Sequence, residues 1–165
     1  MHTLICFEGI NYAGKTSVAK MVRTQTGILY GPRVSTRHTK EEAEIHKNPD
    51  HLERFAFFVE EIAARSEEVC QILTRDPVIL DRYFLSVCAY HNILIGRYLE
   101  RETDLSKIYR PDLTFLLVVN ETTLRNRIAM RPPRHSYESD SVFLLHVQEE
   151  FLRLTTEKEG FLFPD

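Results

Sequence analysis

A chain of 165 residues is long enough to bury the hydrophobic core of one α/β domain. Its formal net charge of −3 lacks the basic excess that a polynucleotide groove binder carries, so polymeric nucleic acid is not an expected partner. Cys6, Cys70 and Cys88 lie far apart in apolar stretches with no CxxC pair, which suggests neither zinc nor disulfides but buried thiols in a reducing cytosol.

The first residues, MHTLICF, carry no basic n-region, and no apolar run approaches a membrane span, so a cytoplasmic protein is expected. Residues 3–7 form a short apolar run closed by glycine and predict a buried strand. Residues 14–26 predict a helix with Val18, Ala19 and Val22 inward, stopped by Gly27. A weak second strand at 28–31 ends at Pro32, and 34–50 is polar with little periodicity. From 51 to 73, Leu52, Phe55, Val59, Ile62 and Val69 recur at helical spacing. Asp76-Pro77 breaks that helix before a third strand at 78–80, which runs into Asp81-Arg82-Tyr83. Residues 84–99 predict an apolar helix. Residues 113–119 are almost continuously apolar and predict a strand buried on both faces. A helix at Glu121–Met130, a basic loop at 131–136, a long helix at 140–158 and a candidate fifth strand at 161–163 complete the chain. Alternating strands and helices predict one domain built on a parallel sheet with helices on both faces.

Gly9-Ile10-Asn11-Tyr12-Ala13-Gly14-Lys15-Thr16 matches G-x-x-x-x-G-K-[ST] between a predicted strand and a predicted helix, the context such a phosphate loop requires. Backbone N–H groups of the loop, continued into Ser17, converge on a phosphate at the positive end of the helix. Glycine lets the backbone come close. Lys15 is placed for the β- and γ-phosphates of ATP, and the Thr16 hydroxyl for Mg²⁺.

Neither DxxG nor NKxD occurs, which argues against a GTPase switch. The strand at 78–80 ends in Asp81-Arg82 rather than Asp-Glu, so an arginine stands where a hydrolase places its water-activating carboxylate. That favours clamping a second phosphate, and a kinase over a hydrolase. Arg82 is then the expected clamp and Asp81 the group orienting a metal-bound water or the acceptor. Arg127, Arg131 and Arg134 lie on or beside a predicted lid at 131–138 that would close over the transferring group. Arg127 reads equally as part of a solvated helix face.

These residues together resemble the thymidylate kinase family over most of the chain. Phe7-Glu8-Gly9 before the loop, Asp81-Arg82-Tyr83 followed by Ala89-Tyr90, Arg110-Pro111-Asp112-Leu113, Ala64-Arg65, Arg131 and Tyr137-Glu138 are similar to its segments in order. The resemblance implies a five-stranded sheet in the order 2-3-1-4-5, ATP and Mg²⁺, and a nucleoside monophosphate acceptor near Arg65, Arg82 and Tyr137. It places Arg131 against adenine and makes a homodimer compatible with the apolar helix at 84–99. Several positions depart from the family. Asn11 replaces the loop carboxylate, Tyr12 follows it in place of an arginine, and Ser136 occupies the usual lid-arginine position, leaving Arg134 as the substitute. Glu61 occupies the position of the base-stacking aromatic, with Phe57 and Phe58 one turn earlier as replacements or as core residues. His91 either contacts a base or is a surface histidine. Two other readings stay open. One is a kinase for nucleosides or other hydroxyl acceptors, with Asp81 or Glu8 as base; the other is an ATP-binding protein without turnover.

Overall fold

The computed structural model describes residues 2–131 and 140–156. Four parallel strands, β1 (Leu4–Glu8), β2 (Leu29–Tyr30), β3 (Val78–Asp81) and β4 (Leu113–Leu116), lie in the order β2-β3-β1-β4. The sequence predicts five strands in the order 2-3-1-4-5; the described residues hold four, and the predicted fifth at 161–163 lies outside them. Among the described residues, six helices connect or flank the strands: α1 (Lys15–Thr26), α2 (Glu42–Ile45), α3 (His51–Ile72), α4 (Phe84–Ile95), α5 (Glu121–Met130) and α6 (Ser141–Thr156). The helix predicted at 84–99 stops at Gly96, which takes a left-handed conformation, and a short 3-10 turn follows at Leu99–Glu102. Among the described residues, no helix is long and apolar enough to cross a membrane.

Period-two alternation divides the sheet into two faces. Leu4, Cys6, Val78 and Leu80 enter the larger core with apolar residues of α3, α4 and α6, including Ile62, Phe84, Cys88, Val147 and Phe151. Phe7 and Ile79 point the other way, against Ala19, Val18 and Val22 of α1. The buried reading of 113–119 is corrected: Leu113 and Phe115 are each 49% exposed. A helix about 10 Å across covers roughly two strands spaced about 4.8 Å apart. The main packing of α1 is on β2, β3 and β1, so β4 lies past its edge. Phe115 is covered on that face chiefly by stacking on Phe7, with centroids 5.4 Å apart.

From β1 the chain crosses to one side for β2 and β3, and to the other for β4. Such a reversal leaves a crevice beyond the carboxyl ends of the strands. Asp50 caps α3, its side chain accepting from the N–H groups of Leu52 at 2.8 Å and Glu53 at 3.1 Å.

Candidate active site

The phosphate loop leaves β1 through Gly9, at φ 135°. A Cβ there would stand 2.4 Å from the Leu117 carbonyl oxygen, so both the dihedral and the space require glycine. Gly14, at φ 98°, turns the chain into α1, whose N-terminus has no side-chain cap. Of the first-turn N–H groups of α1, that of Ser17 donates to the Gly14 carbonyl at 3.1 Å, which leaves those of Lys15 and Thr16 for an anion. Lys15 is 5% exposed and its Nζ donates to the Ile10 carbonyl at 2.7 Å, inside the loop it serves. Burial, reinforced by the charge of Arg82, lowers its pKa well below the usual lysine range. Arriving phosphates reverse that balance, because they favour the charged amine.

Thr16 donates its hydroxyl to Asp81 Oδ2, which also accepts from the Tyr30 hydroxyl at 3.2 Å. Burial and the Asp81 charge push the Tyr30 phenol up to about 12. One hydroxyl and one carboxylate at the loop mouth suit Mg²⁺, which takes few protein ligands and completes its shell with water and phosphate oxygens. Among the described residues there is no cluster of three His, Cys, Asp or Glu that could hold a metal ion.

Arg82 sits at φ 74°, a left-handed conformation at the end of β3. Its Nη1 donates to the Gly9 carbonyl at 3.2 Å and to Ser86 Oγ at 3.1 Å, and its Nη2 donates to Asn11 Oδ1. The guanidinium also lies 5.4 Å from the Tyr90 ring centre, while the Tyr90 hydroxyl accepts from the Asn11 N–H at 2.9 Å. Glu8 holds this turn from beneath. Its carboxylate accepts from the Tyr83 N–H at 2.8 Å and from the Ser86 hydroxyl, at 1% exposure. A chain of contacts thus runs Glu8–Ser86–Arg82. Burial raises the Glu8 pKa, with the Ser86 hydrogen bond pulling the other way. Glu8 is buried beneath this turn and is not among the residues lining the cavity.

A single cavity of about 830 Å³ joins the loop to the faces of α3 and α4. It brings together Asn11, Tyr12, Ala13, Gly14, Lys15, Thr16, Ser17, Asp81 and Arg82 with Phe58, Arg65, His91, Arg127 and Arg131. Arg127 is exposed, yet its Nη1 donates to the Tyr12 carbonyl at 2.6 Å, so α5 is tied to the loop. Arg65 is buried and engaged: Nη1 donates to the carbonyls of Arg33 at 2.7 Å and Arg82 at 3.3 Å, and Nε pairs with Glu61 at 3.3 Å. His91 is corrected from a surface histidine to a buried one. Phe58 is half-buried between His46 and His91, at centroid distances of 5.4 and 5.9 Å. Arg134 and Tyr137 lie outside the described residues.

Sequence reasoning misses four contributors: the Arg33–Glu42 ion pair at the mouth, Arg54, Tyr90 as a loop partner, and Ser86. One signal was present for Arg54. Positions 54, 58, 61 and 65 are spaced four, three and four apart, a single helical stripe.

A family model described as thymidylate kinase matches residues 7–164. A probable thymidylate kinase of Methanocorpusculum labreanum is 32% identical over 176 aligned residues, covering 98% of this chain and 88% of its own length. One of Methanosarcina mazei is 28% identical over 173, covering 95% and 84%. Among solved structures, the thymidylate kinase from Candida albicans superposes with a TM-score of 0.69 at 21% identity, over 93% of this chain and 77% of that one. Deoxyadenosine kinase from M. mycoides with bound dATP gives 0.67 at 17%, over 98% and 89%. At these identities the superpositions establish a shared fold.

Proposed function

The chain belongs to the thymidylate kinase family, and we propose that it transfers the γ-phosphoryl group of ATP to a nucleoside monophosphate. The observation that carries this reading is that Lys15 and Arg82 line one cavity, near enough to each other that the charge of Arg82 helps depress the Lys15 amine. Two cations this near each other suit two phosphates held head to head.

The loop N–H groups and Lys15 hold the donor's β- and γ-phosphates. Arg82, kept in place by Gly9, Ser86 and Asn11, holds the acceptor phosphate. An oxygen of that phosphate attacks the γ-phosphorus; the bond from phosphorus to the β–γ bridging oxygen breaks and ADP leaves. The pre-set cations stabilise the spreading negative charge. Thr16 and Asp81 would hold Mg²⁺, which would neutralise phosphate charge there. Arg127 and Arg131 line the same mouth and suit the donor nucleotide.

A hydroxyl acceptor would need a general base. Glu8 is turned inward to Tyr83 and Ser86, and Asp81 is engaged with Thr16, so this reading is less well supported. An ADP-release assay with ATP–Mg²⁺ against nucleoside monophosphates, nucleosides and water tests the proposal. Release with monophosphates is expected; release with nucleosides alone, or none at all, overturns it.

A further inference from the structure

The turn that carries Arg82 holds a conformation that its own residue type disfavours. At φ 74° the backbone is left-handed, which a residue with a Cβ keeps only where its neighbours fix it. Three hydrogen bonds do so. The Arg82 N–H donates to the Phe7 carbonyl at 3.0 Å, and the Tyr83 N–H donates to the Glu8 carboxylate at 2.8 Å, both on β1. The third comes from a different layer: the Arg82 carbonyl accepts from Arg65 Nη1, on α3, at 3.3 Å.

Arg65 is itself held from several sides at 3% exposure. The same Nη1 donates to the Arg33 carbonyl at 2.7 Å, Nε stands 3.3 Å from Glu61, and the guanidinium carbon lies 5.4 Å from the Tyr83 ring centre. Glu61, also 3% exposed, accepts from the Ser35 N–H at 2.8 Å. One buried guanidinium thus ties the segment after β2 to the turn after β3, with Glu61, one helical turn earlier, as its counter-charge. A buried ion pair adds little net stability, because desolvation offsets the attraction; what it supplies here is one fixed geometry. Glu61 stands where the family resemblance places a base-stacking aromatic, which has no charge to offer Arg65.

We propose that Glu61 and Arg65 are positioning residues for phosphoryl transfer: Glu61 orients Arg65, and Arg65 holds the Arg82 carbonyl, so that the left-handed turn keeps the Arg82 guanidinium beside Gly9 and Asn11. Arg65 acts through Arg82 and does not itself bind the acceptor. Without its hydrogen bond the turn relaxes toward negative φ, and the clamp moves away from the acceptor phosphate. A misplacement of about 1 Å at a reacting centre costs on the order of 10²-fold in rate.

The pair's role rests on the nucleotide-acceptor reading above, so one test uses no acceptor and a second uses dTMP. In denaturant titrations of the full chain, Arg82→Gly is expected to outlast Arg82→Ala, since glycine relieves a left-handed residue. In an Arg65→Met background that advantage is expected to shrink toward zero; an undiminished advantage overturns the proposal. With ATP–Mg²⁺ and dTMP, Arg65→Met is expected to lower kcat/KM for dTMP about 10²-fold and leave the KM for ATP unchanged. In an Arg82→Ala background the same substitution is expected to cost less than about threefold, because the group it acts through is gone. Equal losses in both backgrounds make Arg65 a direct acceptor contact and also overturn the proposal. Glu61→Gln keeps an acceptor for the Ser35 N–H but loses the charge, and is expected to show both patterns more weakly; it carries both comparisons if Arg65→Met does not fold. A vanishing glycine advantage without ADP release from any monophosphate leaves the hold on the turn standing and sinks phosphoryl transfer. ADP release with an undiminished advantage does the reverse.

Discussion

The two ends of the cavity are built in different ways. At the phosphate end, contiguous residues 9–16 supply backbone N–H groups, two left-handed glycines and one lysine, and Arg82 is fixed to that backbone through Gly9. At the far end, no two contributors adjoin in sequence. Arg54 and Phe58 come from α3 and His91 from α4, all as side chains. A phosphate is the same charge in every nucleotide, so a backbone cradle serves it whatever surrounds it. A base differs from its competitors by the direction of one or two hydrogen bonds, which only placed side chains can distinguish.

Breaking the phosphate end should cost the most. Lys15→Met is expected to lower turnover about 10³-fold, the loss of a preorganised charge at the transferring group. The fold should survive, since the buried amine is already held below its ordinary pKa. Steady-state kinetics with a melting curve checks both parts, and turnover near the wild-type rate would refute the loop's assigned role.

Next comes Arg82→Ala, expected to cost about 10²-fold or more in kcat/KM for the acceptor while the KM for ATP changes little. A loss confined to ATP would move Arg82 to the donor side and blur the contrast between the ends.

The far end should show itself in stability against pH. His91 titrates near 4 in the folded chain against about 6.5 unfolded, so between these values the unfolded chain binds more protons. Stability contributed by neutral His91 is fully present above about pH 6.5 and is lost as pH falls toward 4, by up to about 3 kcal/mol. Denaturant titrations of wild type and His91→Gln across that window measure it. Parallel curves would mean that His91 does not carry the difference.

The smallest effect is expected for Arg127→Ala. Its link to the Tyr12 carbonyl lies at an exposed side chain, and about a tenfold rise in the KM for ATP is expected. A larger fall in kcat than in affinity would instead make it a group that acts on the transferring phosphoryl.

The phosphate end was legible because its chemistry is local. Gly9, Gly14, Lys15 and Thr16 are constrained by backbone geometry within eight residues, and Asp81-Arg82 falls at the end of an apolar run readable as a strand. Glu8 was legible as a carboxylate but not in its role, since only the approach of Ser86 and the Tyr83 N–H turns it inward. His91 reads from sequence as either a base contact or a surface residue; the packing of α4 against α3 buries it.

By itself, then, the sequence determined the alternation of strands and helices, the phosphate loop and the pair Asp81-Arg82, because each is encoded in periodicity or in neighbours a few residues apart. Tertiary structure decided the rest. It left β4 half-covered, since the reach of α1 across the sheet is a distance in space. It directed Arg65 to the backbone and left Arg54 facing the cavity, since the partner of a buried charge depends on which helices meet.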